Sequence, residues 1–388
     1  MREMKDSGID WVGAVPSSWE IKRVKNIAKL RNGSDPKTEG TIPVYGSGSS
    51  SFKTCGEYKE GPTVLLGRKG ATLHIPSYIE GAYWNVDTAF DVVMRDDNSL
   101  RFFYYLATCF NYGYYLTDTA LPSMTQSDYG DMKVAIPEIS EQLAIAAYLD
   151  ARCTSIDEAV ARHRTAIDKL EEYRRAVIAR TVAGKANGLS SSRWVWKRFK
   201  FIAHVDSNLV EPDGYGNWLH VSPDAIGKGN GRLLYRRTVL EDGVISGNHL
   251  FHKGAILYSK VRPRLNKVVI APDDGLCSAD MYPISTGQVT EWLRYYMLSD
   301  QFVEQAGLVS DIRIKMPKIN QQELGDLKIL VPPSEEQLDI VAYLDYQCAA
   351  VDDAIDRQHR IIEKLEEYRR SLIHAAVTGR IDCTKETL

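Results

Sequence analysis

A chain of 388 residues with 44% hydrophobic and 26% charged residues has the make-up of a soluble globular protein of roughly two to four domains. No apolar run approaches the roughly 18–20 residues of a membrane span, and the opening MREMKDSGID lacks a signal-peptide core, so a cytoplasmic protein with no membrane contact is expected. The net charge of −3 carries no overall nucleic-acid signal, and six cysteines without a CxxC pair exclude a zinc ribbon or a redox pair.

In chain order, Trp19 and KRVKNIA (Lys22–Ala28) open the first variable stretch, over residues 19–132. This stretch is rich in Gly, Tyr and β-branched residues. PTVLLG (Pro62–Gly67) reads as a strand and Leu100–Phe110 as a helix. A polar, helix-favouring segment follows over Lys133–Lys185. Trp196 and KRFKFIA (Lys197–Ala203) then open a second variable stretch, over 196–327. Its expected strands are AILYS (Ala255–Ser259) and KVVIAP (Lys267–Pro272), and its expected helix is Thr290–Val303. The last segment, Lys328–Arg380, matches Lys133–Lys185 without gaps and at about half of its positions, KLEEYRR included. KRVKNIA and KRFKFIA match at a shorter offset, so the second copy carries extra residues in its middle.

Each repeated segment predicts one long helix. Glu335–Val377 contains no Pro or Gly. Pro332-Pro333-Ser334 with the following acids is a start signal, and Gly184 and Gly379 are stop signals. Apolar residues recur in alternating steps of three and four: Leu149, Cys153, Ile156, Val160, His163, Ile167, Leu170, Arg174 and Val177, with the same pattern from Leu344 to Leu372. That is a coiled-coil seam with polar interruptions, along helices of roughly 60 Å. Pairing the two copies antiparallel brings His163 near Gln358 and keeps Cys153 apart from Cys348, so no disulfide is expected between those cysteines. The expected fold class is α+β: two mixed α/β domains joined by two long helices in an antiparallel coiled coil, with pseudo-two-fold symmetry.

Between Lys228 and Lys267, nine basic residues face only Glu241 and Asp242, with Tyr235, His249, Phe251 and Tyr258 interleaved. The first variable stretch carries GRKG (Gly67–Gly70) after its strand, where the second carries YSKVRPRLNK (Tyr258–Lys267). Basic residues on Gly- and Pro-bounded loops suit phosphate contact and groove entry. Catalytic signatures are missing. GSGSS (Gly46–Ser50) lacks the Lys of a phosphate loop, no GxGxxG follows a strand, and no HExxH lies on a helix.

KDSGIDWVGAVPSSWEIKRVKNIA (Lys5–Ala28), PVYGSG (Pro43–Gly48), VLLGRKG (Val64–Gly70) and NVDTAF (Asn85–Phe90) resemble specificity subunits of type I restriction-modification systems. GAILYSKVRPRLNKVVIAP (Gly254–Pro272) resembles another subclass of their recognition domains, and the two EQL…KLEEYRR segments resemble their helical spacers. The resemblance implies target-recognition domains over 1–132 and 186–327, each reading one half of a split, asymmetric site. It implies spacer regions over 133–185 and 328–388, which set the distance between the half-sites. It also implies partners: double-stranded DNA, two modification (methyltransferase) subunits and the motor-nuclease restriction subunits. This chain would hold no cofactor and catalyse nothing, S-adenosylmethionine being bound by the modification subunit. The first candidates for DNA contact are Arg68, Lys69, Arg262, Arg264, Asn266 and Lys267. Ser47, Ser123, Gln126, Lys315 and Lys318 come second. The competing expectations are a coiled-coil interaction scaffold without sequence-specific DNA binding, and a stand-alone enzyme.

Overall fold

The computed structural model describes residues 2–95, 97–115, 122–186, 191–311, 313 and 315–385. The chain divides into two compact units, one of Met1–His163 with Arg360–Leu388 and one of Arg164–His359. Two helices of 44 residues, Ile139–Val182 and Ser334–Val377, each contribute one part to each unit. Neither is interrupted at Asp150 or Asp345. Both end where expected, at Gly184 and Gly379 with φ of +67° and +70°. Gly379 is required twice over, since a Cβ there would lie 2.4 Å from Pro16 Cδ. No helix among the described residues is long and apolar enough to cross a membrane.

In the first unit, one antiparallel sheet has the order Ala28–Asn32, Ala89–Met94, Thr63–Gly67, Ser77–Ile79. The central strand Thr63–Gly67 is buried along its whole length, which is why it reads as an unbroken apolar run. A second sheet contains the parallel pair Ile42–Tyr45 and Ala82–Asn85. The ribbon of Glu20–Arg23 with Lys133–Ile136 delivers the chain into the first long helix.

The second unit repeats this plan. One sheet has the order Ala203–Val205, Met281–Thr286, Ile256–Ser259, Val268–Ile270, and the other contains the parallel pair Leu219–Val221 and Gly275–Cys277. The ribbon here is Val195–Arg198 with Lys328–Val331. Part of the extra length of this copy falls in one loop: residues 222–236 stand where the first unit has only residues 46–50. The single helix expected over Thr290–Val303 is two helices, Thr290–Leu298 and Asp300–Ser310, with Ser299 in extended backbone between them.

Within each unit the long helices run antiparallel. In the first, Arg2 binds Glu141 near the start of one helix and Asp382 just past the end of the other, and Asp157 pairs with Arg369 at 2.9 Å. In the second, Arg174 pairs with Asp352 at 2.9 Å, and Ile178 and Val182 share a core with Ile340 and Leu344. Every expected seam position is buried or half-buried. Cys153 and Cys348 are each a free thiol, with no disulfide between them.

The long helices are fixed at their starts by the same bonds in both units. Trp19 Nε1 donates to Glu141 at 3.2 Å, and Trp194 Nε1 donates to Glu336 at 2.7 Å. The counterpart of Trp19 is therefore the buried Trp194. Trp196, the residue taken from the sequence to open the second variable stretch, lies on an exposed ribbon strand and is 56% exposed. Buried Gln142 accepts from Ser99 N and donates to Pro137 O and Asn98, while Gln337 accepts from Val289 N and donates to Pro332 O and Gln288.

Candidate nucleic-acid interface

In the first unit the buried strand Thr63–Gly67 ends at Arg68-Lys69-Gly70, and three backbone contacts clasp this turn to a second loop. Met124 N donates to Arg68 O (2.9 Å), Gly70 N donates to Pro122 O (3.0 Å), and Lys69 and Ser123 form an isolated β-bridge between them. Buried Tyr129 donates its hydroxyl to Gly67 O at 2.7 Å from below. The Ser47 hydroxyl sits between Lys69 O and Thr88 O (2.6 Å), within hydrogen-bond reach of both for its one proton. The structure thus brings Ser47, Arg68, Lys69 and Ser123 together. Gln126 stands beside them at the start of the helix Gln126–Asp131, donating to Asn32 Oδ1 at 3.2 Å. The half-buried Arg68 guanidinium lies 6.0 Å from the centroid of the Phe90 ring, while Lys69 is exposed. Among the described residues neither has an acidic partner.

The second unit repeats the clasp. Ile319 N donates to Lys260 O (3.0 Å), Arg262 N donates to Pro317 O (2.7 Å), and Val261 and Lys318 form the bridge. Gln321 donates to Ser207, as Gln126 does to Asn32. Arg68, Lys69, Gly70 and Ser123 therefore correspond to Lys260, Val261, Arg262 and Lys318. One backbone frame displays two different sets of side chains. Arg262 has φ of +49°, a left-handed conformation that Gly70 (φ +112°) adopts without a Cβ penalty.

The other residues singled out from the second loop are tied down. Arg264 binds Asp311 at 2.7 Å. Lys267 is 11% exposed and donates to Pro223 O, with Asp224 at 3.7 Å. Asn266 is buried, has φ of +46°, and donates to Leu298 O at 3.0 Å. Lys318 pairs with Asp280 at 2.9 Å, and Lys315 is exposed.

The basic stretch of the second unit is also less charged in three dimensions than along the chain. Arg232, Arg236 and Arg237 bind Asp352, Asp273 and Asp242. Most of the acids that offset the stretch lie outside the window Lys228–Lys267, where a local count cannot register them.

Lys260, which was not among the singled-out residues, takes the place of Arg68 and lies 5.3 Å from the Tyr282 ring centroid, as Arg68 lies over Phe90. Aligning the residues that follow each central strand would have found it. Burial, with Lys260 nearby, pushes the His249 imidazole below its ordinary range.

A second missed feature is a buried charge in the first unit. Asp91 is fully buried and binds both Arg31 and Lys59, and Lys59 also donates to buried Asn85 at 2.7 Å. This network fixes the strand Ala28–Asn32, whose last residue receives Gln126. Among the described residues no group of three or more His, Cys, Asp or Glu side chains is placed to hold a metal ion.

Comparison with known proteins gives three findings. Residues 16–169 match the family model for the type I restriction modification DNA specificity domain. The EcoDI specificity subunit of the Escherichia coli type I restriction enzyme is 32% identical over 292 residues, which is 68% of this chain and 65% of that protein. A solved chain described under "Structural basis underlying complex assembly and conformational transition of the type I R-M system" superposes with a TM-score of 0.70 at 16% identity. That match covers 95% of this chain and 99% of the other. It extends the likeness in fold across both units.

Proposed function

We propose that this chain, which belongs to the family of type I restriction-modification specificity subunits, is the part of such a system that reads DNA sequence and catalyses nothing itself. The recognition domains occupy 1–132 and 186–327, and the spacer regions occupy 133–185 and 328–388. The observation that carries the reading is the repeated clasp: one set of backbone bonds holds Arg68, Lys69, Gly70 and Ser123 in one unit and Lys260, Val261, Arg262 and Lys318 in the other.

A frame kept constant while its displayed side chains change is what two readers of different half-sites require. Phosphate contacts position a protein on the duplex, and contacts to base edges specify the sequence. Lys69, Arg262, Lys315 and Lys318 reach the DNA. Arg68 and Lys260, stacked over aromatic rings, line the path beside them. Ser47, Ser123 and Gln126 supply hydrogen bonds, and Arg264 joins them when it exchanges Asp311 for a phosphate. Asn266 and Lys267 act from inside, shaping the loop that presents Arg262. Each well-made bidentate pair to a base is worth about 1–3 kcal/mol of discrimination.

The long helices hold the half-sites at a fixed separation and dock two methyltransferase subunits, and the motor-nuclease subunits complete the restricting complex. The chain binds no cofactor of its own. S-adenosylmethionine belongs to the methyltransferase partner, and the whole complex works in the cytoplasm, where the DNA is.

The test is binding of the complex with its methyltransferase subunits to a library of duplexes across a salt series. A split motif should be enriched. Affinity should fall steeply with salt, and Lys69→Ala or Lys318→Ala should each reduce the salt slope by about 1. Binding that ignores both salt and sequence overturns the reading in favour of a protein-interaction scaffold.

A further inference from the structure

In the first unit a cleft of about 690 Å³ runs between the helix Leu100–Thr108 and the second long helix. Tyr104, Thr108 and Cys109 form one wall, and Arg369, Arg370 and His374 the other. The second unit shows what belongs there. Tyr105 binds Asp150 and Tyr295 binds Asp345, both at 2.6 Å, so the two short helices share one register and Tyr104 and Thr108 correspond to Arg294 and Leu298.

In the second unit that surface is covered by the chain's own longer loop. Gly231 lies so close that a Cβ would meet Arg294 at 2.9 Å and Leu298 at 3.0 Å, and Arg232 binds Asp352 at 2.7 Å. Asp352 thereby holds two arginines, Arg174 on one oxygen and Arg232 on the other, and its side chain is 18% exposed. The corresponding Asp157 holds only Arg369 among the described residues and is 56% exposed. The first unit's short loop, residues 46–50, does not supply the second arginine.

We propose that the first unit's cleft receives an arginine carried on a glycine-bordered loop of the methyltransferase partner, bound by Asp157 as Arg232 is bound by Asp352. Asp157 is bound to Arg369 on the cleft wall, and the seated loop of the second unit, which places Arg232 on Asp352, defines the occupant's chemistry. This inference rests on the reading of the chain as a specificity subunit. It adds that the two units are unequal docking sites, because one is filled from within.

The experiment measures the affinity of the full-length chain for its methyltransferase subunit, with a photo-crosslinking residue placed at Tyr104 in a parallel sample. Asp157→Asn, which keeps a hydrogen bond to Arg369, is expected to weaken binding about tenfold or more. Thr108→Trp, which fills the cleft and leaves the ion pair intact, should do the same. Asp352→Asn should change affinity less than twofold. The crosslink should map to a partner segment containing Arg next to Gly. Unchanged affinity in both cleft variants overturns the proposal, as does a loss in Asp157→Asn alone, or a crosslink to DNA or to a second copy of this chain. Wild-type chain that binds no methyltransferase subunit overturns the underlying reading, and the proposal with it.

Discussion

The two units agree bond for bond where they are built and differ where they are displayed. Trp19 with Glu141, Gln142 with Ser99, Tyr105 with Asp150 and Asp157 with Arg369 all recur as Trp194 with Glu336, Gln337 with Val289, Tyr295 with Asp345 and Asp352 with Arg174. The clasp also recurs, but the side chains on it do not. The buried Asp91 network belongs to the first unit alone, since the matching strand of the second carries Pro283 at that place. The lesson is a division of labour. Buried polar contacts fix the frame and hold the two copies alike, while exposed side chains on the same frame are free to diverge.

The largest expected break in that equivalence is Asp91→Ala. It strands Lys59 and Arg31 without their carboxylate and should cost about 3–5 kcal/mol. Hydrogen exchange should accelerate through the first unit's sheets and leave the second unit's protection unchanged. Next is the arginine pair. Arg174 is 8% exposed and Arg369 is 36% exposed, so Arg174→Ala should cost about 3 kcal/mol and Arg369→Ala about 1 kcal/mol or less in denaturant unfolding. Equal losses would mean that the second unit's extra loop does not bury its ion pair.

The glutamines test sameness instead. Gln142→Ala and Gln337→Ala should each cost about 2 kcal/mol and agree within about 1 kcal/mol, because each satisfies the same backbone groups. Arg262→Gly separates display from frame. It removes a left-handed backbone penalty of about 1 kcal/mol, so the melting temperature should hold or rise slightly while DNA affinity falls. A lowered melting temperature would show Arg262 to be part of the frame.

The smallest effect is electrostatic. Hydrogen bonds from Lys25 and Arg23 hold the Asp131 carboxyl down to about 2, and Lys200 and Arg198 lower Asp326 in the same way. A depressed folded-state pKa gives stability that is present above the ordinary carboxylate range and lost as pH falls through the folded value. Asp131→Asn should therefore flatten slightly the fall in melting temperature between about pH 4 and pH 2. Both pairs are exposed, so salt should erase the difference.

The repeat, the helix boundaries, the seam and the mixed character of both domains are legible in the sequence because each rests on local periodicity, capping residues or self-similarity. The clasp is not legible, because its bonds are made by backbone groups from segments some fifty residues apart. For the same reason Lys260 escapes notice: its equivalence to Arg68 follows from strand position, not from motif. Charge misleads where distance in sequence hides neighbours, as with Arg232 and Asp352. Trp196 directly precedes the KRFK segment, but Trp194 stands three residues before it, as Trp19 does before KRVK, so spacing already picks out Trp194 and burial agrees.

Asp157 with Arg369 and Arg174 with Asp352 also join the two copies as partners in inheritance. Each copy lends its acid to one pair and its arginine to the other, and both arginines are the first of a KLEEYRR segment. A change at Asp157 finds no answer in its own copy. The compensating change must arise 212 residues away, and for Arg174 it must arise 178 residues away. A change in either copy is therefore felt in the other, whereas the clasps of the two units share no such bond.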